Sequence, residues 1–418
     1  MKLKLAIHGG KKAVVAKPPY NWPDVTKEEI LEVMNHMVHN NISIYDRAHP
    51  LGTLEDDFKE LTGRKYAIAY NSGTSALLAT FYGVSLQEGD EVIVPSYTFW
   101  ATVTPLVRLG VIPIFAEIDP ETLTLSPEGI LDKITTSTKA IVVNHTWGNP
   151  ANLDEILKIC KENQLTLIED ASHSHGGTYD QKPIGSFGKV AAFSLQANKP
   201  VAAGEGGILV TNSVEVYERA TLLGHFGPRS IQTINLDQYA PFAETGIGYK
   251  MRIAALSAAV GLTQLKTLKE RNKIRRENMQ YLSELIKDLP GLKVPIEQPK
   301  GKHIYYGYKI VIKPEAFKVS ISEIVETLKA EGVKIKQADP HMLHKAPLFN
   351  DNISRTPLGW PFSNKEYCQK VDNKKICLPI TEDIVYRLLS VKPLVKPALN
   401  VIEEYANAFR KVWEWALK

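Results

Sequence analysis

The stretch YAIAYNSGTSALLATFYGVSL, residues 66–86, joins a five-residue apolar run to a helical one through Asn-Ser-Gly-Thr-Ser. A strand that feeds straight into a helix is half of a βαβ unit, and six more strand candidates follow it. They are EVIVP (91–95), IPIFAEI (112–118), AIVVNH (140–145), TLIED (166–170), VAAFSL (190–195) and GILVT (207–211). Several are apolar at successive positions, as strands covered on both faces must be. Helical stretches such as NLDEILKICKENQ (152–164) lie between them. This alternation predicts an α/β domain with a mainly parallel, doubly wound sheet, whose ligands gather at the carboxyl ends of the strands.

Beyond residue 255 the pattern changes. Ala258, Leu262, Leu265 and Leu268, then Leu282, Leu285, Ile286 and Leu289, recur at steps of three and four. This spacing predicts a long amphipathic helix, broken near Arg271 and ended by Pro290-Gly291. The run YYGYKIVIK (305–313), the helix SEIVETLKAEG (322–332) and the final helix from Val401 predict a smaller α+β domain. The expected division is a large domain with an N-terminal arm over 1–265 and a small C-terminal domain over 266–418.

Composition bounds the function. The 418 residues are 44% hydrophobic and 23% charged, with a net charge of +4, which is ordinary for a chain with large cores. The densest basic run, RNKIRR (271–276), is expected to be a solvated helix face, so no nucleic-acid partner is expected. Three cysteines, Cys160, Cys368 and Cys377, without CxxC spacing, predict neither a disulfide framework nor a zinc site. No apolar run approaches the ~20 residues of a membrane span, and none resembles a secretion signal. A cytoplasmic location is expected.

Three segments fall where the sheet rule looks for chemistry. Asn71-Ser72-Gly73-Thr74-Ser75 opens a helix directly after a strand, and free amides beside small residues suit a phosphate. Such a segment also starts a helix for purely structural reasons. Asp170 ends the apolar strand TLIED. A carboxylate there needs a partner, either a core cation or a protonated heterocyclic nitrogen. His173 and His175 share a strand-like spacing, but no third metal ligand accompanies them in sequence, so no metal is expected. Lys199 sits among small and apolar residues before a glycine-rich turn (204–207), where partial desolvation frees an amine for imine formation. A phosphate cradle, a strand-end aspartate and a lysine, in that order in one α/β domain, match the phosphate, ring nitrogen and aldehyde of pyridoxal 5′-phosphate (PLP).

These residues are set in longer stretches that resemble a known family. LAIHGGKKAV (5–14), the run from Gly52 to Ala79, GDEVIVPSYTFWATVTPLVRLG (89–110), IEDASHSHGG (168–177), FSLQANKPVAAGEGGILVTN (193–212), GYKMRIAALSAAVGLTQL (248–265) and CLPI (377–380) are similar to the DegT/DnrJ/EryC1/StrS aminotransferases, within fold type I PLP enzymes. The resemblance covers nearly the whole chain. It implies a ping-pong transfer of an amino group from glutamate or glutamine to a keto-sugar or keto-cyclitol, in a homodimer with shared active sites.

By the same resemblance, Lys199 carries the cofactor and shuttles a proton, Asp170 faces the ring nitrogen, and His173 lies near the ring hydroxyl. Phe99 stacks on the ring, and Gly73, Thr74 and Ser194 bind the phosphate. Lys250 stands where many members have an asparagine that reaches the phosphate of the neighbouring subunit, and is expected to replace it as a cation. Gln196 follows the form of members acting on carbocyclic ketones. His341 and His344 match a segment near the substrate mouth, whereas His225 has no assigned role. Members that dehydrate a deoxysugar replace the lysine with histidine, so Lys199 favours amino transfer. Members that make an aminobenzoate keep the lysine. A PLP-binding regulator without catalysis is the non-enzyme alternative.

Overall fold

A computed structural model describes residues 4–18, 22–39, 41–339, 341–350, 358–371 and 376–418. Its centre is a sheet of seven strands: β1 (Tyr66–Tyr70), β2 (Glu91–Pro95), β3 (Ile112–Ala116), β4 (Thr138–Asn144), β5 (Thr166–Asp170), β6 (Val190–Ser194) and β7 (Gly207–Thr211). The spatial order is β1-β7-β6-β5-β4-β2-β3. Neighbours are parallel except β7, which runs antiparallel to both β6 and β1. The expected α/β architecture is therefore present, and the expected strand starts hold except for β4, which begins two residues earlier.

Side-chain alternation sorts each strand between two cores. Ile68, Val92, Val94, Val142 and Ile168 enter one apolar cluster, while Ala67, Ile93, Ile141, Val143 and Leu167 enter the other. Period-two alternation with apolar residues on both sides is what a sheet between two helical layers requires. The helices α1 (Lys27–Val38), α2 (Leu51–Thr62), α3 (Gly73–Gly83), α4 (Leu153–Glu162) and α5 (Val214–Gly224) belong to this half.

The long C-terminal pattern forms two helices, α6 (Ala255–Lys266) and α7 (Leu268–Ile286), which meet at Thr267 rather than near Arg271. Beyond them, β8 (Leu292–Lys293), β9 (Tyr308–Ile312), β10 (Ile335–Gln337) and β11 (Leu388–Val391) pair antiparallel in the order β8-β9-β11-β10. Helices α8 (Ile321–Ala330) and α9 (Leu399–Ala416) share a third apolar cluster with this sheet. Leu5 and Val14 of the N-terminal arm join that cluster.

The basic run is the clearest departure from expectation. Arg275 is buried, and the guanidinium groups of the run bond backbone carbonyls rather than water. Arg271 donates to the carbonyls of Pro200 (3.0 Å) and Gln264 (2.7 Å). Arg275 donates to that of Ile304 (3.2 Å), and Arg276 to that of His303. A guanidinium with five donors can satisfy several carbonyls, so these arginines tie α7 to the loops around Pro200 and Ile304.

Candidate active site

The predicted chemistry converges at the carboxyl ends of β1, β4, β5 and β6. A cavity of about 600 Å³ opens there, lined by Gly73, Thr74, Phe99, Asp170, His173, Ser194 and Lys199 among others. The strand-to-helix turn after β1 explains one wall. Ser72 caps α3 by accepting from the amide of Ser75 at 3.1 Å, which leaves the first amides of the helix facing the cavity end. Gly73 is required there. A Cβ at that position would lie 2.6 Å from the Cβ of Ser194 at the end of β6. The absence of a side chain brings a helix N-terminus and a hydroxyl together, the arrangement that suits a phosphate.

Strand alternation separates the two acids that end β5. Glu169 faces away from the cavity and is fully buried. Its carboxylate accepts from the amides of Gly185 (2.9 Å), Phe187 (2.8 Å) and Gly188 (2.7 Å), and from His145 (3.2 Å). Burial works to raise its pKa, but His145 and the amides of Gly188 and Gly185 outweigh it and hold the group below the usual carboxylate range. Asp170 turns to the cavity. Its Oδ2 accepts from Thr102 Oγ1 at 2.7 Å and its Oδ1 from the amide of Ser172 at 3.1 Å. These bonds orient the carboxylate at the floor of the cavity.

His173 is buried beside two aromatic rings. Trp147 (5.3 Å, 14°) and Tyr306 (4.5 Å, 26°) both pack on its ring, and they also pack on each other (6.2 Å, 12°). Burial, then the charges of Lys199, His175 and Lys309, hold its pKa well below the ordinary imidazole value. Its Nδ1 accepts from the amide of Trp147 at 3.4 Å, so Nε2 carries the remaining hydrogen. Lys199 reaches the same stack, with Nζ 4.9 Å from the Tyr306 ring centroid. His175 instead packs in the core against Phe58 and Phe193.

The other sequence candidates divide. Phe99, 60% exposed, and Gln196 line the cavity. His341 lines it too, paired with Asp339 at 3.3 Å. His344 does not: it is buried, with Nδ1 bonded to Ser96 Oγ (2.6 Å) and Nε2 to Glu382 (3.2 Å), a packing role. His225 is buried against Tyr70, also away from the cavity. Lys250 is exposed and does not line the cavity of its own chain. Its segment runs beside the phosphate-cradle turn, where the amide of Asn71 donates to the carbonyl of Met251 at 2.7 Å.

Trp147, Tyr306 and Lys309 of the cavity escaped the sequence reading, as did Thr102, which bonds Asp170. Trp147 had a usable signal. It follows the end of β4, where the sheet rule points, and precedes a glycine. It adopts φ 57°, a left-handed conformation uncommon for a non-glycine residue and often found at working sites. Tyr306 and Lys309 come from the small domain, on a run that reads as an ordinary strand.

A small-residue phosphate cradle, an oriented buried carboxylate, a neutral histidine and a lysine around one cavity suit PLP, and the fold that presents them is that of a fold type I PLP aminotransferase. The sequence profile described as "DegT/DnrJ/EryC1/StrS aminotransferase family" matches residues 23–387. The chain belongs to that family. It is 33% identical to the spore coat polysaccharide biosynthesis protein SpsC of Bacillus subtilis over 75% of this chain and 80% of that one. It is 31% identical to the L-glutamine:2-deoxy-scyllo-inosose aminotransferase of Streptoalloteichus tenebrarius, over 80% and 78% respectively. Among solved structures, an aminotransferase from Psychrobacter cryohalolentis superposes with a TM-score of 0.82 at 25% identity, covering 94% of this chain and 98% of that one. The protein is a PLP-dependent aminotransferase.

Proposed function

We propose that the enzyme transfers the amino group of L-glutamate or L-glutamine to a ring ketone of a sugar or cyclitol, in amino-sugar or aminocyclitol synthesis. The observation that carries this reading is the gathering of Lys199, Asp170, His173, Gly73, Thr74 and Ser194 around one cavity. The names of the related enzymes support a cyclic polyol ketone as acceptor. When bound, PLP supplies an aldehyde that takes up the amine and a conjugated ring that accepts the electrons of a broken C–H bond.

The residues divide that work. Lys199 would hold the cofactor through its Nζ, and the same amine would move the proton at the reacting carbons. Asp170, oriented by Thr102 and Ser172, keeps the ring nitrogen protonated. His173 offers its Nε2 hydrogen to the ring hydroxyl while staying uncharged. The α3 amides at Gly73 and Thr74, with Ser194, would hold the phosphate, and Phe99 would pack on the ring. Gln196 borders the acceptor.

Lys250 serves the phosphate of a second copy in a homodimer. Exposed apolar residues on and after α1, such as Ile30, Leu31, Met34 and Ile42, together with Tyr249, support such a pairing. Light scattering should give a dimer at micromolar concentration. The unpaired cysteines fit a reducing cytoplasm, and among the described residues no helix is long and apolar enough to cross a membrane.

Lys199→Ala tests the reading. The variant should lose multiple turnover with L-glutamate and give no borohydride-fixed adduct at position 199, yet still bind the pyridoxamine form. Full turnover in this variant refutes the assignment. With the wild type, mass spectrometry of the cyclic product separates amination from loss of water, which a dehydratase would give.

A further inference from the structure

Lys309 is a buried lysine with no carboxylate partner among the described residues. It sits on β9, in the interior of the small sheet, and is 6% exposed. Its Nζ donates to Ser390 Oγ at 2.9 Å and lies 3.6 Å from the centroid of the Trp147 ring. Among the described residues no carboxylate pairs with it within 4.0 Å. Burial pushes its pKa down to about 7, the charge of Lys336 adding to the effect and that of Asp339 opposing it. Removing an ammonium from water is costly unless an anion meets it, and a fold retains such a group where a ligand supplies the anion.

The surroundings place that ligand. Lys309 lines the cofactor cavity and also a neighbouring cleft of about 540 Å³ that shares Trp147, Asn198, Tyr306 and Lys336 with it. A stacked series connects the two amines. Lys199 lies over Tyr306 and Lys309 over Trp147, and these two rings pack on each other and on His173. The amino donor bears a carboxylate on the carbon whose amine must reach Lys199, whereas a cyclic polyol ketone bears none on its ring.

We propose that Lys309, flanked by Ser390 and Lys336, anchors the carboxylate of the amino donor, so that the small domain selects an anionic donor at the site where the large domain does the chemistry. This rests on the aminotransferase reading and adds a residue to it. Lys309 is a binding residue; it moves no proton in the reaction.

Glutarate, a dicarboxylate with no amine to react, probes the site directly by calorimetry on the PLP-loaded enzyme. Wild type should bind it. Lys309→Met, which keeps the aliphatic stem over Trp147, should weaken it by about tenfold or more, as loss of a charged hydrogen bond does. Lys309→Arg should retain most of the affinity. In the half-reaction followed by the cofactor absorbance, Lys309→Met should raise the half-saturating L-glutamate concentration by a similar factor. Saturation by an aminocyclitol, which bears no carboxylate, should barely move.

No glutarate binding to wild type, or equal binding to Lys309→Met, overturns the proposal. So does a loss of the same size for the aminocyclitol, which would mark a packing role. If the absorbance of wild type responds to no amino donor, the aminotransferase reading fails, while the glutarate titration still decides the role of Lys309.

Discussion

Two adjacent acids, Glu169 and Asp170, show how much one step along a strand decides. Glu169 is spent on the fold: three amides and His145 surround it in a space closed to water. Asp170 faces the cofactor cavity. Glu169→Ala should therefore cost about 3 kcal/mol or more of stability, because it strands a buried histidine and three amides. Asp170→Ala should leave the denaturation midpoint of the cofactor-free protein nearly unchanged and lose PLP on dialysis. Paired denaturant titrations and cofactor retention on the two variants check this; equal stability losses would refute it. Sequence alone favoured Asp170 through its place at the strand end, since a buried acid with a structural partner and one with a ligand read alike. The histidines illustrate the same limit. His341 and His344 stand three residues apart, yet one lines the cavity and the other is held by Ser96 and Glu382. A histidine in sequence does not state whether its ring nitrogens are already bonded.

Elements were legible where one layer of packing decided them. Strands β1, β2 and β5 lie where their apolar runs place them, because both faces meet helices of the same domain. Strand β9 was visible as a strand but not as a wall of the active site. Tyr308, Ile310 and Ile312 fill the small-domain core, and the alternate face, with Lys309, looks like one meant for solvent. That face is covered by Trp147, a contact between segments too far apart for periodicity to reveal. The arginines of α7 were misjudged for the same reason. At α3 the local reading suffices, and it makes a sharp prediction. Gly73→Ala puts a methyl group 2.6 Å from the Cβ of Ser194. The helix must shift from β6, at a cost of about 1–3 kcal/mol, and the phosphate cradle must open. PLP affinity should fall while Lys199 still forms its borohydride-fixed adduct at saturating cofactor; unchanged affinity would contradict the cradle.

Acid tolerance is a property of the whole molecule, because its buried histidines lie in separate regions. His175 is held down to about 3 by burial and then by Lys199, His225 by burial, Arg229 and Arg252, and His303 by burial, Arg276 and Arg275. Each is neutral in the folded protein and binds a proton on unfolding below the usual value of 6.5. The stability they permit is complete above pH 6.5 and falls as pH drops from there towards 3. Each adds up to about 1.4 kcal/mol per pH unit to that slope. Replacing His225 by Gln should flatten the dependence of the denaturation midpoint between pH 6 and 4; an unaltered slope would show that His225 titrates alike in both states.

The N-terminal arm bears on how the chain folds. Glu331 receives the amides of Ala6 (2.7 Å) and Ala13 (2.9 Å) and the ammonium of Lys411 (2.9 Å), while Glu404 receives the amides of Val15 and Ala16. The arm's partners lie 325 and 389 positions away along the chain, on Glu331 and Glu404. Contacts of such sequence separation close the longest loops in the fold and cost the most chain entropy to make. Docking of the arm is therefore a late step of folding, and it waits on the helices it joins.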